Sequence, residues 1–423
     1  MNKVLIISYY WPPGSGAGVQ RWLKFAKYLP AEGWEPVILT VDPDYAAYPA
    51  LDKSLLREVS PDLKVYRTRA TDWFRLYKKD KSKIPSAGFA TNDNNSFTGR
   101  IIRFIRGNFF IPDPRRGWNR YAVREASRLI ESSEIKHIIT TSPPHSTQLI
   151  GLALKKKYPG IKWIADLRDP WTDIYYYDSF YHTPCARKID TNYEKKVLVT
   201  ADKIITIGKS LKTSFCEKVP GIEEKIEVIT NGYDEDDFKT LSSVNPELLT
   251  ISYIGTLSDS YPVSGFLDAV EILTRKGYNI KLRFVGSVSS SQRNLISLKS
   301  DKLLTEFIPY VNHQDAIKYM MESSVLLLII PDHHSNRSII TGKLFEYLAS
   351  GKPILCIGPE DGDAADILNT SGNGKCAGYN DIDGISHILD LFYDNRTHSV
   401  KKAPGEFSRE SLTGKLGSQL NSI

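Results

Sequence analysis

Short apolar segments alternate with longer, more polar stretches along almost the whole chain, and this alternation limits the folds that it can adopt. In the first half, an apolar segment at 4–8 precedes a glycine-containing turn at 14–18 and a predicted helix at 19–29. The same pattern predicts further strands at 36–40, 64–67, 137–141, 162–166, 203–207 and 225–229. Strands that alternate with helices are typical of a parallel sheet covered by helices on both faces. We therefore predict an α/β domain with a doubly wound sheet.

The pattern starts again in the second half of the chain. Strands are predicted at 250–255, 281–286, 304–308, 325–330 and 353–358, with helical stretches such as 261–276 between them. The segment 240–246 is polar and has no predicted strand, so it is the expected linker. Because 423 residues exceed what one core usually accommodates, we predict two domains, 1–240 and 247–406. A terminal helix within 407–423 is a candidate to pack back on the first domain.

Cysteine usage and hydropathy exclude several classes of protein. The four cysteines are scattered and form no C-x-x-C pair, so we expect reduced thiols and neither a disulfide framework nor a cysteine metal site. The longest apolar runs fall short of the roughly 18 to 20 residues that a membrane-spanning helix needs. The apolar stretch near the N-terminus is too short for a secretory signal. A cytoplasmic location is expected.

The positive charge of the chain is concentrated in one region. Residues 64–124 contain 15 Lys and Arg against 4 Asp, a net charge of +11, whereas the whole chain carries +6 and the remainder therefore −5. A local basic region of this kind indicates an anionic surface or substrate. Within this region, 78–98 is rich in polar and turn-forming residues and is predicted to be a mobile loop. Nucleic-acid binding is not expected, because no nucleic-acid-binding motif accompanies the charge.

The segment 100–118 interleaves arginines with large apolar residues. This composition is typical of an amphipathic helix at a membrane interface, which could rest on anionic lipid at the inner face of the cell membrane. The alternative is that the apolar side chains pack into the first domain while the arginines stay solvated. Four side chains decide between these interpretations: Ile101, Ile102, Phe104 and Ile105.

The turn after the first strand contains Gly14, Gly16 and Gly18 and precedes a helix. Amide groups and the positive end of a helix dipole could hold a phosphate or a sugar hydroxyl there. The turn lacks the dinucleotide-binding pattern, because Val19 stands where G-x-G-x-x-G requires glycine, and no P-loop Gly-Lys follows. The alternative is a tight turn that needs glycine only for its backbone.

Titratable side chains follow two other predicted strands of the first half. His145 lies in Ser-Pro-Pro-His-Ser after the strand at 137–141, near an expected helix start that would disfavour the imidazolium form. A neutral His145 could donate to or accept from a sugar hydroxyl, although a lone histidine is more often structural. Arg168 and Asp169 follow the strand at 162–166. Ligands of open α/β sheets bind at such carboxyl ends, but an ion pair from Arg168 to Asp166 or Asp169 could equally serve only to fix the loop.

The most informative segment follows the predicted strand at 325–330. Ser338 or Thr341 can cap a helix that carries Lys343 and Glu346 three residues apart, hence on one face. A lysine and free amides at a helix start suit a diphosphate, and a carboxylate one turn later can accept hydrogen bonds from ribose hydroxyls. The spacing therefore predicts a nucleotide site. The alternative is a weak surface pair between Lys343 and Glu346.

The segment 342–354, Gly-Lys-Leu-Phe-Glu-Tyr-Leu-Ala-Ser-Gly-Lys-Pro-Ile, resembles the donor-site signature of glycosyltransferase family 4. Other segments agree with that family in order and spacing: 14–18, 142–145, 168–171, 229–234, 253–255 and 284–286. The resemblance covers nearly the whole chain. It implies the GT-B fold, in which two Rossmann-like doubly wound domains face each other across a cleft.

The resemblance implies transfer of a sugar, with retention of configuration, from a nucleotide diphosphate sugar in the C-terminal domain to an acceptor in the N-terminal domain. A UDP or GDP sugar is the expected donor, and neither a cofactor nor a metal ion is expected, because cationic side chains and helix dipoles would meet the diphosphate charge. By the same resemblance Glu346 would bind the ribose and His145 would lie beside the donor sugar. The wider donor set would comprise Gly16, Gly255, Thr256, Gly286, Ser338, Thr341, Gly342, Lys343 and Leu344, and the acceptor set Gly14, Arg103, Arg106, Arg168 and Asp169.

Two positions depart from the family pattern. Ser338 stands where a second glutamate is common, and the Arg and Lys that commonly follow the glycine of the first C-terminal strand are missing, since Gly255 is followed by Thr256 and Leu257. Lys343, with Arg337 as a second candidate, must then stabilise the leaving diphosphate. We expect a hexosyltransferase type of enzyme that acts on a lipid-linked or saccharide acceptor in cell-surface polysaccharide assembly. The alternatives are a sugar-nucleotide epimerase of the same architecture and a binding module that has lost its catalytic activity.

Overall fold

The computed structural model describes residues 1–49, 51–71, 97–238, 248–299, 303–394 and 403–423. The chain forms two compact units: unit 1 comprises Met1–Thr230 and Arg409–Ile423, and unit 2 comprises Asn231–Ser408. The division lies before the predicted boundary at 240, because the segment after Thr230 pairs with unit 2. For example, the Tyr233 amide donates to the Phe407 carbonyl at 3.1 Å. The predicted linker at 240–246 lies outside the described residues.

Unit 1 contains a seven-stranded parallel sheet with the order β3-β2-β1-β4-β5-β6-β7. Its strands are β1 Asn2–Ile7, β2 Trp34–Val41, β3 Lys64–Thr68, β4 His137–Ser142, β5 Lys162–Leu167, β6 Lys203–Thr206 and β7 Ile226–Val228. Its helices up to the boundary are α1 Ala17–Tyr28, α2 Phe97–Phe109, α3 Asn119–Ser133, α4 Gln148–Lys157, α5 Pro184–Thr200 and α6 Lys209–Lys218. The central strands are buried because helices cover the sheet.

Unit 2 contains a six-stranded parallel sheet with the order β10-β9-β8-β11-β12-β13. Its strands are β8 Leu249–Ile254, β9 Ile280–Val285, β10 Leu304–Ile308, β11 Val325–Ile329, β12 Ile354–Ile357 and β13 Gly374–Ala377. Its helices are α7 Ser264–Arg275, α8 Ser290–Lys299, α9 His313–Met321, α10 Gly342–Ser350, α11 Asp363–Ser371 and α12 Ile382–Asp394. The final helix, α13 Arg409–Asn421, belongs to unit 1.

The predicted strands are confirmed, with small differences at their ends, and so is the doubly wound parallel architecture. The edge strand β13 was not predicted, because its sequence, Gly-Lys-Cys-Ala, has no run of apolar residues. The helix α2 begins inside the predicted loop at 78–98, whereas the rest of that loop lies outside the described residues. No helix in the described ranges has the length and apolar character required to cross a membrane.

Candidate functional site

Lys343 lies in the first turn of α10, at the carboxyl ends of the unit 2 strands. Its Nζ atom donates to Tyr253 Oη at 2.8 Å and lies 4.2 Å from the centre of the Tyr253 ring. The Tyr253 hydroxyl in turn donates to the Thr256 carbonyl at 2.6 Å, so the buried phenol holds the ammonium group in place. Burial lowers the pKa of Lys343 to about 8, although the carboxylate of Glu346 raises it.

Two glycines pack beside this lysine. Gly255 follows β8 with φ +126°, and a Cβ atom there would lie 2.9 Å from Lys343 Nζ. Gly286 follows β9 with φ +118°, and a Cβ atom there would lie 2.4 Å from the Gly255 carbonyl oxygen. Both the left-handed backbone and the close approach require glycine. The structure therefore brings together Gly255, Gly286, Thr256 and Lys343, as the prediction of a donor site expects.

The start of α10 leaves one polar group without a partner. Thr341 is the N-cap residue, but its side chain makes no capping bond, which differs from the predicted cap. Its Oγ1 atom is buried and has no hydrogen-bond partner among the described residues. The Ser338 hydroxyl donates to the Ser335 carbonyl at 3.1 Å within its own turn, so it does not cap α10 either. Gly342 is the first residue of α10, and the side chain of Leu344 is buried in unit 2.

Glu346 contacts a histidine that the sequence analysis did not identify. Glu346 Oε1 lies 3.9 Å from His313 Nδ1, and His313 Nε2 lies 3.4 Å from Asp237 Oδ2. His313 opens α9, where Asn312 Oδ1 accepts from the Asp315 amide at 3.0 Å. The histidine thus lies between two half-buried carboxylates, within hydrogen-bond distance of Asp237 and somewhat farther from Glu346. No sequence motif reveals this arrangement, because its three members come from distant parts of the chain.

Arg337, the second candidate cation, lies in a short 3-10 turn, Asn336–Ser338. Its side chain is 67% exposed and forms a 2.8 Å ion pair with Asp361, which is itself exposed. An exposed arginine that already pairs with a carboxylate is less suited to stabilise a diphosphate than a partly buried ammonium group. Lys343 is therefore the stronger candidate in unit 2.

His145 lies in unit 1, in a 3-10 turn directly before α4. Its ring stacks on Trp171 with centroids 4.9 Å apart and planes 15° apart. Neither ring nitrogen is exposed, and neither has a hydrogen-bond partner among the described residues. Burial lowers the pKa of His145 to about 3, with smaller contributions from Lys218 and Arg168, so the ring is neutral at pH 7. Two unpartnered buried nitrogens are costly unless a ligand meets them.

Arg168 takes part in a buried ionic network beneath the glycine turn. Its Nε atom lies 3.7 Å from Asp166 Oδ2, so the predicted ion pair with Asp166 is present. Asp166 also accepts from Arg21 at 3.2 Å and from Trp22 Nε1 at 2.8 Å. The guanidinium of Arg168 packs against Gly18, where a Cβ atom would lie 2.5 Å from Arg168 Nη2. Arg168 therefore links β5 to the first turn of α1. The sequence did not reveal the whole network, because Arg21 is a helical residue without a motif.

The remaining predicted residues of unit 1 lie before α1, after β5 and on α2. Gly16 is the N-cap residue of α1, and Gly14 donates through its amide to the Trp11 carbonyl at 2.9 Å. Burial raises the pKa of Asp169, the charge of Asp166 adds to that effect, and Arg168 opposes it. Arg103, on α2, has its guanidinium 5.8 Å from the centre of the Tyr181 ring.

A pocket in unit 1 contains His145 together with aromatic and charged side chains. Its lining includes Tyr10, Arg106, His145, Trp171, Tyr176 and Asp190. The Arg106 guanidinium lies 4.3 Å from the centre of the Phe180 ring, and Asp190 accepts from Trp171 Nε1 at 2.8 Å and from Tyr177 Oη at 3.0 Å. Burial raises the pKa of Asp190 to about 6, although both hydrogen bonds oppose the shift. Aromatic faces and convergent polar groups are typical of small-molecule sites.

Metal-ligating residues do not cluster in the parts of the chain that the structure describes: no group of three or more His, Cys, Asp or Glu there is placed to hold an ion. All four cysteines are free thiols.

A sequence model of one protein family, described as Glycosyltransferase Family 4, matches residues 18–237, which is slightly more than half of the chain. No curated protein sequence matches the chain significantly. The matched segment covers most of unit 1 but not β1 or α13, whereas the motif that first suggested the family lies in unit 2.

Several solved structures share the fold over nearly the full length. A glycosyltransferase from Rickettsia africae ESF-5 is 15% identical with a TM-score of 0.61, covering 99% of this chain and 98% of its own. Alr3699/HepE from Anabaena, solved in complex with UDP, is 13% identical with a TM-score of 0.64, covering 100% of both chains. A putative UDP-N-acetylglucosamine 2-epimerase from Listeria monocytogenes is 12% identical with a TM-score of 0.55, covering 100% and 97%. At these identities the likeness shows the fold alone.

Proposed function

This chain belongs to glycosyltransferase family 4 and has the GT-B fold, and from that premise we propose that it transfers a sugar from a nucleotide diphosphate sugar to a lipid-linked or saccharide acceptor. The donor is of the UDP or GDP type and the sugar a hexose or amino sugar. The product belongs to cell-surface polysaccharide assembly. The UDP bound to the Anabaena structure supports a nucleotide donor for a chain of this fold.

The observation that carries this proposal is the group of residues around Lys343. A partly buried ammonium group, an unpartnered Thr341 hydroxyl and the amides of a helix start converge beside two glycines. These are the groups that recognise a diphosphate. Glu346, which lies beside His313, is one helical turn further on and is the acceptor for the ribose hydroxyls. The positive charge that meets the diphosphate comes from the Lys343 ammonium group and the helix amides, so we propose a transfer that needs no metal ion.

The acceptor binds in the pocket of unit 1. The neutral His145 offers one donor and one acceptor nitrogen to a hydroxyl, and aromatic rings such as Trp171 offer faces against which a sugar can pack. Arg106 supplies positive charge for an acceptor that carries phosphate. As the bond between the sugar and the diphosphate breaks, an oxocarbenium-like centre forms and the acceptor hydroxyl attacks from the same face, which retains the configuration. The proton of that hydroxyl passes to the departing diphosphate. Lys343 stabilises the negative charge that develops on the departing diphosphate.

The test is incubation of the full chain with a panel of UDP- and GDP-sugars, with and without saccharide and lipid-linked acceptors. We expect slow donor hydrolysis without acceptor and transfer with a suitable one. Lys343→Ala should lower kcat roughly 100-fold, the scale for removal of one group that stabilises developing charge. Lys318→Ala is the control, because its side chain is exposed and pairs with a neighbour on its own helix, Asp315.

Three outcomes would contradict the proposal. Recovery of an isomerised donor would indicate an epimerase. The fold is compatible with that activity, because the putative epimerase from Listeria shares it. Binding of nucleotide sugars without turnover in the presence of every acceptor would indicate a module without catalytic activity. Equal turnover of Lys343→Ala and the unsubstituted chain, at equal thermal stability, would remove the role of Lys343.

A further inference from the structure

The helix α2 turns its apolar face outward. Phe97 is 77% exposed and Phe109 70%, and Ile101, Phe104 and Ile105 are between 39% and 43% exposed. These five residues follow helical spacing and therefore form one continuous stripe. The interpretation that this segment packs its apolar side chains into the core is wrong for Ile101, Phe104 and Ile105. A surface helix ordinarily turns such a face toward the protein, so the outward stripe needs a partner.

The C-terminal end of α2 is attached to unit 1. At Gly107 a Cβ atom would lie 2.5 Å from the Phe180 carbonyl oxygen, so the helix backbone lies directly on the turn Tyr177–Phe180. Asn108 donates to the Tyr181 carbonyl at 3.1 Å and accepts from the Thr183 amide at 2.7 Å. Packing at Gly107 and the hydrogen bonds of Asn108 therefore fix the C-terminal end of α2 on unit 1, while the five apolar side chains of the stripe stay exposed.

The segment that carries the stripe has a positive net charge, although Arg115 is buried and Arg106 lines the pocket of unit 1. Residues 97–124 contain seven arginines and one acidic residue, Asp113, and α2 itself contains no acid. Arg100 lies on α2 and is exposed, next to the apolar stripe. An apolar stripe bordered by arginine fits a surface that offers both hydrocarbon and negative charge, which is the property of an anionic bilayer.

We propose that α2 docks the protein on a membrane surface rich in anionic lipid, with Phe97, Ile101, Phe104, Ile105 and Phe109 inserted at the boundary between headgroups and acyl chains. The helix has 13 residues and a length of about 20 Å, which is too short to cross a hydrocarbon core of roughly 30 Å, so it lies in the plane of the interface.

The docking surface adjoins the pocket of unit 1, because Arg106 and Gly107 of α2 line that pocket. A protein held in this way presents the pocket at the bilayer, where an acceptor with a lipid anchor would be found. This consequence rests on the proposed function, whereas the docking itself does not depend on it.

The experiment is flotation of the purified full chain with large vesicles of phosphatidylcholine alone or with one third phosphatidylglycerol. We expect binding to the anionic vesicles and at least tenfold weaker binding to the neutral ones. The double variant Ile101→Ser, Ile105→Ser should bind anionic vesicles at least tenfold more weakly, and Leu298→Ser, which changes an apolar residue of α8 that is 78% exposed, should bind normally. Arg100→Glu should weaken binding several-fold, and Arg100→Lys should preserve it.

The proposal is overturned if the chain does not float with anionic vesicles at low salt, or if the double serine variant floats as well as the unsubstituted chain. Light scattering tests the alternative that the stripe binds a second copy of the chain. A dimer that the double variant abolishes, in the absence of vesicle binding, would support that alternative. Donor hydrolysis is measured on the same samples without vesicles. Hydrolysis without flotation refutes docking alone, and flotation without any turnover refutes the proposed function alone.

Discussion

A lysine ammonium that packs against glycine backbone and a buried phenol has lost much of its water, and its pKa falls for that reason. Lys343 has a pKa of about 8, and Glu346 keeps it from falling further. The group is therefore mostly protonated at pH 7 and loses its charge within the range of an enzyme assay. An ammonium group that must meet a diphosphate makes the reaction sensitive to alkaline pH.

We predict that kcat/KM for the donor falls above pH 8, because this parameter reports the protonation of the free enzyme. In Glu346→Gln the inflection should move to lower pH, since the carboxylate that raises the pKa of Lys343 is gone. Glu346→Asp keeps the charge and should leave the inflection nearer pH 8. The measurement is the pH profile of donor hydrolysis. An inflection near pH 10.4, the value of an ordinary lysine, would contradict the assignment.

At the scale of secondary-structure elements, the residues proposed to bind the donor are positioned by the turns that follow two strands. After β8 and β9 the chain turns through Gly255 and Gly286, both with positive φ, and the second packs on the carbonyl of the first. The Gly255 amide also donates to the Val285 carbonyl at 2.7 Å. Because Gly255 has no Cβ atom, the Lys343 side chain from α10 can occupy the space beside it.

Gly286→Ala should destabilise unit 2 by about 2 to 4 kcal/mol, because the added Cβ atom meets the backbone and the φ of +118° strains an L residue. Gly160→Ala, in unit 1, is the control, since a Cβ atom there meets nothing within 4 Å. Thermal and urea unfolding measure both. Donor affinity should fall in Gly286→Ala as Gly255 shifts, and equal stability of the two variants would show that the turn is more adaptable than its geometry indicates.

At the scale of the whole molecule, the chain builds two units and completes the first with its last helix. Leu412, Leu416 and Leu420 of α13 belong to the same apolar cluster as residues of α1 and β1. Trp34 Nε1 also donates to Asn421 at 3.2 Å. Unit 1 is thus assembled from both ends of the sequence, although its sheet is complete before the chain enters unit 2.

Leu416→Ala should lower the stability of unit 1 by about 2 to 5 kcal/mol, the usual cost of a cavity in a packed core. The transition of unit 2 in differential scanning calorimetry should stay unchanged. Leu298→Ala serves as the control because that side chain is largely exposed. A shift of both transitions by the same amount would show that the two units unfold as one cooperative body.

The sequence by itself determined the order of strands and helices, the two doubly wound sheets and the positions of Lys343, Glu346 and His145 at the ends of predicted strands or the starts of helices. These features depend on apolar periodicity, turn residues and motifs that act over a few neighbouring positions. The short edge strand β13 could not be predicted from the sequence, because it is a strand through its pairing with β12 and not through its own residues.

Only the tertiary structure decided which side chains meet. Lys343 and Tyr253 are 90 positions apart and His313 and Asp237 are 76 apart, so no local pattern could pair them. The direction of α2 was also open, because its spacing allows the apolar stripe to face the core or the solvent. The contact of Gly107 with Phe180 fixes the orientation of α2. The exposed position of Arg337 was also not evident from the sequence, because it depends on the ion pair with Asp361.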